Sequence, residues 1–189
     1  MPKRNYSIDL IKQAAECDAN YIRLLKLVPQ LQAYRDKSFA DFALIDNTTQ
    51  DEELVRQIEQ SSEPEKLLEG LKVEYYLADL NDSSEKVSVE ITIVEAFKYT
   101  STLEIIQKPV FTQWMTNPSM LVRVYHDAST AEVVSYQGHR NLKPRYEPQN
   151  PMMYQSDEKM QVNKFLGEWL NHSLKVGRAI KAPEITLNR

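Results

Sequence analysis

Apolar residues along this chain fall into two rhythms, one suited to helices and one to strands. Between Ser7 and Val28, the residues Leu10, Ala14, Cys17, Tyr21, Leu24 and Val28 recur every third or fourth position, with Ile11, Ile22 and Leu25 widening the stripe. That spacing places them on one side of an α-helix. Ser7 is a suitable cap and Asp9 suits the first turn. Pro29 ends the helix, because the residue before a proline avoids the helical region. A second strong helix is predicted from about Ser156, with Val162, Phe165, Leu166, Trp169, Leu170 and Leu174 on one face and Gly177 placed to stop it. Phe165 and Trp169 keep helical spacing with Val162 and Leu170, so both are expected in the core.

Between these helices the period changes to two. Leu71, Val73, Tyr75 and Leu77 alternate with Lys72, Glu74 and Tyr76, and Val87, Val89, Ile91 and Ile93 alternate with Ser88, Glu90 and Thr92. One apolar and one polar face is the signature of an antiparallel sheet wet on one side. Further strands are predicted at Tyr99–Gln107, Met120–Tyr125 and Ala131–Tyr136, the last two joined as a hairpin through His126-Asp127-Ala128-Ser129. Pro109 and Pro118 bracket a loop holding Phe111, Trp114 and Met115, which either forms a docking patch or closes one end of the sheet. Residues 138–155 contain Gly138, Pro144, Pro148 and Pro151 and read as loop. The order of elements predicts an α+β fold: an antiparallel sheet of about five strands, with the N- and C-terminal helices on one face.

Residues 36–70 break the pattern. Short helices fit Asp51–Gln60 and the stretch after Ser62-Glu63-Pro64-Glu65, with Gly70 closing the second. The segment reads as an acidic helical insert, a solvated appendage that adds little to the core and whose deletion leaves a folded protein. The whole chain, 1–189, is expected to be one domain containing that insert and ending in a polar tail from 178 to 189.

Charge sharpens this division. Residues 36–95 carry 16 Asp and Glu against 5 Lys and Arg, whereas residues 1–35 carry 3 against 6 and residues 96–189 carry 8 against 12. With a net charge of −4, bulk nucleic acid is an unfavourable partner, although the basic ends leave room for a local anion site. Cys17 is the sole cysteine, so no disulfide forms within the chain and a reducing compartment fits. Its place on the apolar stripe predicts a buried, slowly reacting thiol. Asp9, Lys12 and Glu16 interrupt any leader-like apolar run, and no stretch of about 18 apolar residues exists to cross a membrane. A cytoplasmic location is expected, with no membrane partner.

The best candidate chemistry lies in the run Arg123, Tyr125, His126 and Asp127, with Glu132 nearby. On a strand, Arg123, Tyr125 and Asp127 share one face, and Val122, Val124 and His126 share the other. His126 and Asp127 are therefore not a simple acid–base couple, and no serine in a strand-to-helix elbow accompanies them. Asp127 could equally serve the turn by accepting from nearby amides. The second candidate is a basic loop, His139, Arg140, Lys143, Arg145 and Tyr146, able to hold a phosphate and stack a base. No glycine-rich phosphate loop or nucleotide-binding fingerprint goes with it. His126, His139 and His172 are too far apart to suggest zinc, and no metal or cofactor is expected. These signals favour a non-enzymatic cytosolic binding protein with an unknown protein partner or a small anionic ligand. The alternative is an enzyme or sensor acting on a small phosphorylated or nucleotide ligand through Arg123, Asp127, Glu132 and the 139–146 loop.

Several strings resemble a bacterial family of unknown function, the YqiB-like proteins. They include Cys17-Asp18-Ala19-Asn20-Tyr21 with Arg23, Leu24 and Pro29, then Thr92-Ile93-Val94-Glu95 with Tyr99-Thr100. They continue through Pro118-Ser119-Met120-Leu121-Val122-Arg123-Val124-Tyr125-His126-Asp127-Ala128 with Ala131-Glu132-Val133, and Arg145-Tyr146. The last are Asp157-Glu158-Lys159 with Gln161, Asn163, Phe165, Leu166, Trp169 and Leu170. The resemblance covers most of 10–29 and 87–177. It implies a gammaproteobacterial source and no export signal, carries no established activity, and leaves residues 36–70 with little counterpart in shorter members.

Overall fold

The computed structural model describes residues 9–39, 52–77, 87–108, 119–137, 139–140, 157–176 and 178–179. Helix α1 spans Leu10–Leu27. Asp9 is its N-cap rather than a first-turn residue, with its side chain accepting from the Lys12 amide at 3.1 Å; Ser7 lies outside the described residues. Leu10 and Ile11, expected on the buried stripe, are 60% and 83% exposed. The buried side instead includes polar Gln13 and Asn20 beside Cys17, Tyr21, Leu24 and Leu25. Pro29 does end α1, and it also takes the first position of helix α2, Pro29–Ser38, where its missing N–H costs nothing.

Five strands form the body of one sheet: β1 Lys72–Leu77, β2 Val87–Ala96, β3 Thr100–Lys108, β4 Ser119–Tyr125 and β5 Thr130–Tyr136. Two-residue pieces extend its edges, β6 at His139–Arg140 and β7 at Arg178–Ala179. The order is β6-β5-β4-β3-β2-β1-β7, and each pairing is antiparallel. The α+β expectation therefore holds, with two local corrections. His139 and Arg140 pair with Tyr136 and Ser135 rather than lying in a loop, and Arg178 and Ala179 pair with Tyr76 and Tyr75 rather than in a free tail. An edge strand with unpaired amides offers any nearby extended segment a partner, a signal too short to read in the sequence.

Alternation builds the core. Cross-strand rows such as Val73, Ile91, Ile105 and Met120, and Ile93, Leu103, Val122 and Val133, are buried on one face. Leu24 and Leu25 of α1 and Leu166 and Leu170 of helix α5, Glu158–Val176, pack into the same cluster. Both long helices cross this face: they pack on each other and on β5, α5 also reaches β1, and the Tyr75 hydroxyl of β1 donates to the Leu27 carbonyl. Phe165 corrects the expectation of a core residue. It is 44% exposed and meets Tyr136 edge-on, while Trp169 is partly buried. The buried face of α5 is rotated toward Asn163 and Gly167, where α1 approaches closely. A Cβ on Gly167 would lie 2.0 Å from Glu16 Oε1 and 2.9 Å from both Arg23 Nη1 and Asn20 Oδ1. Those three side chains form a polar ladder over the glycine, with Arg23 donating to Glu16 at 2.6 Å and to Asn20 at 2.7 Å.

The segment read as a solvated appendage is integrated where the structure describes it. Helices α3, Glu52–Gln60, and α4, Pro64–Leu68, occupy the expected positions, but Ile58 and Leu68 are fully buried in the common core. Gly70 adopts a φ of +79°, which glycine reaches without strain, and its amide donates to the Ile93 carbonyl at 2.8 Å. Lys37 of α2 donates to the Ile58 carbonyl at 2.7 Å. Of its described acidic residues, Glu53, Glu59, Glu63 and Glu69 are exposed. Charge counted along a chain does not show where two apolar side chains are aimed.

Candidate functional site

The β4–β5 hairpin presents the strongest sequence candidates. Arg123 lies directly opposite Glu132 across the hairpin, and both side chains stand on the face away from the core. Glu132 is held from two other directions. The Tyr125 hydroxyl donates to its Oε1 at 3.2 Å, and Lys159 Nζ from the first turn of α5 lies 2.6 Å from its Oε2. Lys159 is itself buried, so this is an ion pair the fold needs, since a lone buried ammonium is strongly unfavourable. Arg123 is exposed and forms no ion pair among the described residues. Burial and then the Glu132 carboxylate push the Tyr125 phenol up, and Arg123 beside it offsets part of that rise.

Three further carboxylates of this face are engaged. Glu90 sits between Lys108 at 2.8 Å and Lys72 at 3.7 Å, and its hydrogen bond from Lys108 holds its carboxyl below the usual range. Glu74 accepts from the Ser88 hydroxyl at 2.7 Å and Glu95 from the Thr102 hydroxyl at 3.1 Å. At the hairpin tip, exposed Asp127 accepts from the Ala128 amide at 2.9 Å, the turn role open to it from the sequence, and Ser129 takes a φ of 53° to close the turn.

His126 points the other way, as alternation requires. It is 1% exposed, ringed edge-on by Tyr21 and Tyr34 and stacked by Phe39. Its Nε2 lies 3.0 Å from Ser101 Oγ. Burial, with a smaller push from Arg35, lowers its pKa to about 4, so the ring is neutral at pH 7. Ser101 and His126 meet at hydrogen-bond distance, yet Ser101 is fully buried and Nδ1 of the histidine has no orienting carboxylate. A working nucleophile–base pair needs both access and that orientation. Cys17 is buried as expected, and burial raises its thiol to about 11, so thiolate is scarce at neutral pH.

Of the sequence candidates, the structure brings Arg123, Tyr125 and Glu132 into one patch, places Asp127 at the exposed tip and turns His126 into the core. The backbone of Arg140 is paired with Ser135 of β5; Lys143, Arg145 and the loop residues Phe111, Trp114 and Met115 lie outside the described residues. Lys159 is not among the site candidates that the sequence offers. It stands four residues before Asn163 and seven before Leu166, on the buried stripe of α5, and a lysine at that phase is the signal that marks a paired charge. Among the described residues no group of three His, Cys, Asp or Glu is placed to hold a metal ion, and no helix is long and apolar enough to cross a membrane.

Comparison with known proteins places the chain in a family. The model of a family described as a protein of unknown function (DUF1249) matches residues 23–179, and the chain belongs to that family. The uncharacterized protein YqiB of Escherichia coli K12 is 44% identical over 87 residues, which is 46% of this chain and 62% of that protein. YqiB of Escherichia coli O157:H7 matches to the same extent. The aligned stretch thus spans less than two thirds of the length of these relatives. No solved structure matches the chain.

Proposed function

We propose that this protein acts by binding, in the cytosol, and that the outer face of the β4–β5 hairpin recognises a protein partner carrying exposed carboxylates. One observation carries the reading: among the described residues the exposed guanidinium of Arg123 is left without an ion pair, because Glu132 opposite is committed to Lys159 and Tyr125. An exposed arginine set beside an aromatic is the kind of group that anchors recognition. An enzyme working through the same residues needs Asp127 or Glu132 free for proton transfer. Asp127 accepts from the Ala128 amide, and Glu132 from its two partners.

The test compares the wild-type chain with Arg123→Ala, each immobilised and exposed to lysate from a gammaproteobacterial cell. The variant is expected to melt within about 2 °C of wild type, as exposed unpaired side chains do. A protein retained by wild type and lost at least tenfold from the variant is the expected result. Equal retention on both, or no retained protein, contradicts the proposal.

A further inference from the structure

On the opposite side of the sheet from Arg123, a second group of polar side chains is buried with several atoms that meet no hydrogen-bond partner among the described residues. Arg35 of α2 is 4% exposed, Tyr21 of α1 is fully buried and His126 is 1% exposed. Arg35 Nε and Nη1, the Tyr21 hydroxyl and His126 Nδ1 all lack a hydrogen-bond partner among the described residues. The three residues are neighbours: the Arg35 guanidinium carbon stands 5.8 Å from the centre of the Tyr21 ring, and the Tyr21 and His126 rings are 6.2 Å apart. Asp36 Oδ1 lies 3.6 Å from Arg35 Nη1, which softens the charge but is too long for a hydrogen bond.

Leaving several donors dry in one place is costly. Each unsatisfied buried group costs about 1–3 kcal/mol, and more when charged. Sequence economy offers no reason to hold an arginine there, since an apolar residue would pack against Tyr21 as well. His126 can meet Ser101 in either tautomer, and the anion site uses the one with its hydrogen on Nδ1. When the Ser101 hydroxyl donates to Nε2, the neutral ring carries its hydrogen on Nδ1, so the orphan atom is a donor like the others.

We infer that Arg35, Tyr21 and Nδ1 of His126, where α1, α2 and the β4–β5 turn meet, form a binding site for a small tetrahedral oxyanion of the phosphate class. The guanidinium supplies charge and two N–H groups, and the phenol and imidazole supply neutral donors from other directions. Donors from several directions suit a tetrahedral anion better than a planar carboxylate. The site is separate from the recognition face proposed above, and neither depends on the other.

Inorganic phosphate is the probe, added to the full chain against sodium chloride of equal ionic strength. Phosphate stabilises many proteins by exclusion from their surfaces, an effect that does not saturate, so the readout is the saturable part of the rise in melting temperature. Wild type is expected to show such a saturable rise, with a shift of the His126 Nδ1 nitrogen resonance that tracks it while exposed His172 stays still. Tyr21→Phe keeps the ring and the arginine, removes one donor, and is expected to weaken phosphate at least fivefold. Arg35→Met is expected to abolish the saturable part. A wild type with no saturable rise, an unmoved Nδ1 resonance, or a Tyr21→Phe variant that binds phosphate as wild type does, overturns the site and leaves trapped water as its occupant.

Discussion

Asn163→Ala is expected to lower the stability of the protein by about 2–4 kcal/mol and its melting temperature by about 5–12 °C. The size follows from what this one fully buried side chain does. Its Oδ1 accepts from the Val133 amide at 2.8 Å, its Nδ2 donates to the Lys159 carbonyl at 2.9 Å, and its own carbonyl accepts from Asn20 Nδ2 at 2.9 Å. The Val133 amide needs such a partner because β6 pairs with β5 at Ser135 and Tyr136, and among the described residues no strand covers the rest of that edge. Alanine keeps the helix and strands the amide in a dry interior, and it also removes the side chain that locks α5 to the sheet edge. Equilibrium unfolding in urea measures the change. A loss below about 1 kcal/mol means the edge amide has found another acceptor, and the description of α5 as a substitute strand partner is then wrong.

The second large effect concerns the acidic segment. Leu68→Ala is expected to cost about 2–4 kcal/mol, the range for removing a fully buried leucine from a packed core. Leu68 sits in the same cluster as Ile93 and Leu103, and the chain just beyond it is tied to β2 by the Gly70 amide and by the bond from the Ile93 amide to the Leu71 carbonyl at 2.9 Å. We therefore propose that 36–70 is an insert by origin and a working part of the domain by packing. A Leu68→Ala variant as stable as wild type would show that the segment is an appendage after all.

How far the sequence could be read depended on the kind of signal. Strands whose one face is buried announce themselves, and the alternation from Val87 to Ile93 placed a sheet correctly because no other structure satisfies a strict period of two. Helix α5 was visible as a helix but not in its orientation. Phe165 looked like core and is half exposed, because Asn163 and Gly167, one polar and one without a side chain, are what α1 packs against. Apolar stripes cannot reveal a contact made by polar residues and a glycine. Arg35 is hidden for a similar reason: a lone arginine in a short helix reads as surface until tertiary structure buries it. At the hairpin the alternation rule separated Arg123 and Tyr125 from His126, yet it could not show that Lys159, 27 positions beyond Glu132, takes that carboxylate.

That competition between Lys159 and Arg123 for Glu132 is where the account is most exposed. The direct measurement is a double-mutant cycle in urea unfolding, using Arg123→Ala, Glu132→Gln and the pair together. If Arg123 belongs to recognition and not to the fold, Arg123→Ala changes stability by less than about 0.5 kcal/mol, Glu132→Gln costs more than 1 kcal/mol through stranded Lys159, and the coupling between 123 and 132 is within error of zero. A coupling energy of about 1 kcal/mol or more would mean the two residues hold the hairpin together as an ion pair, and the free guanidinium on which the proposed binding surface rests would not exist.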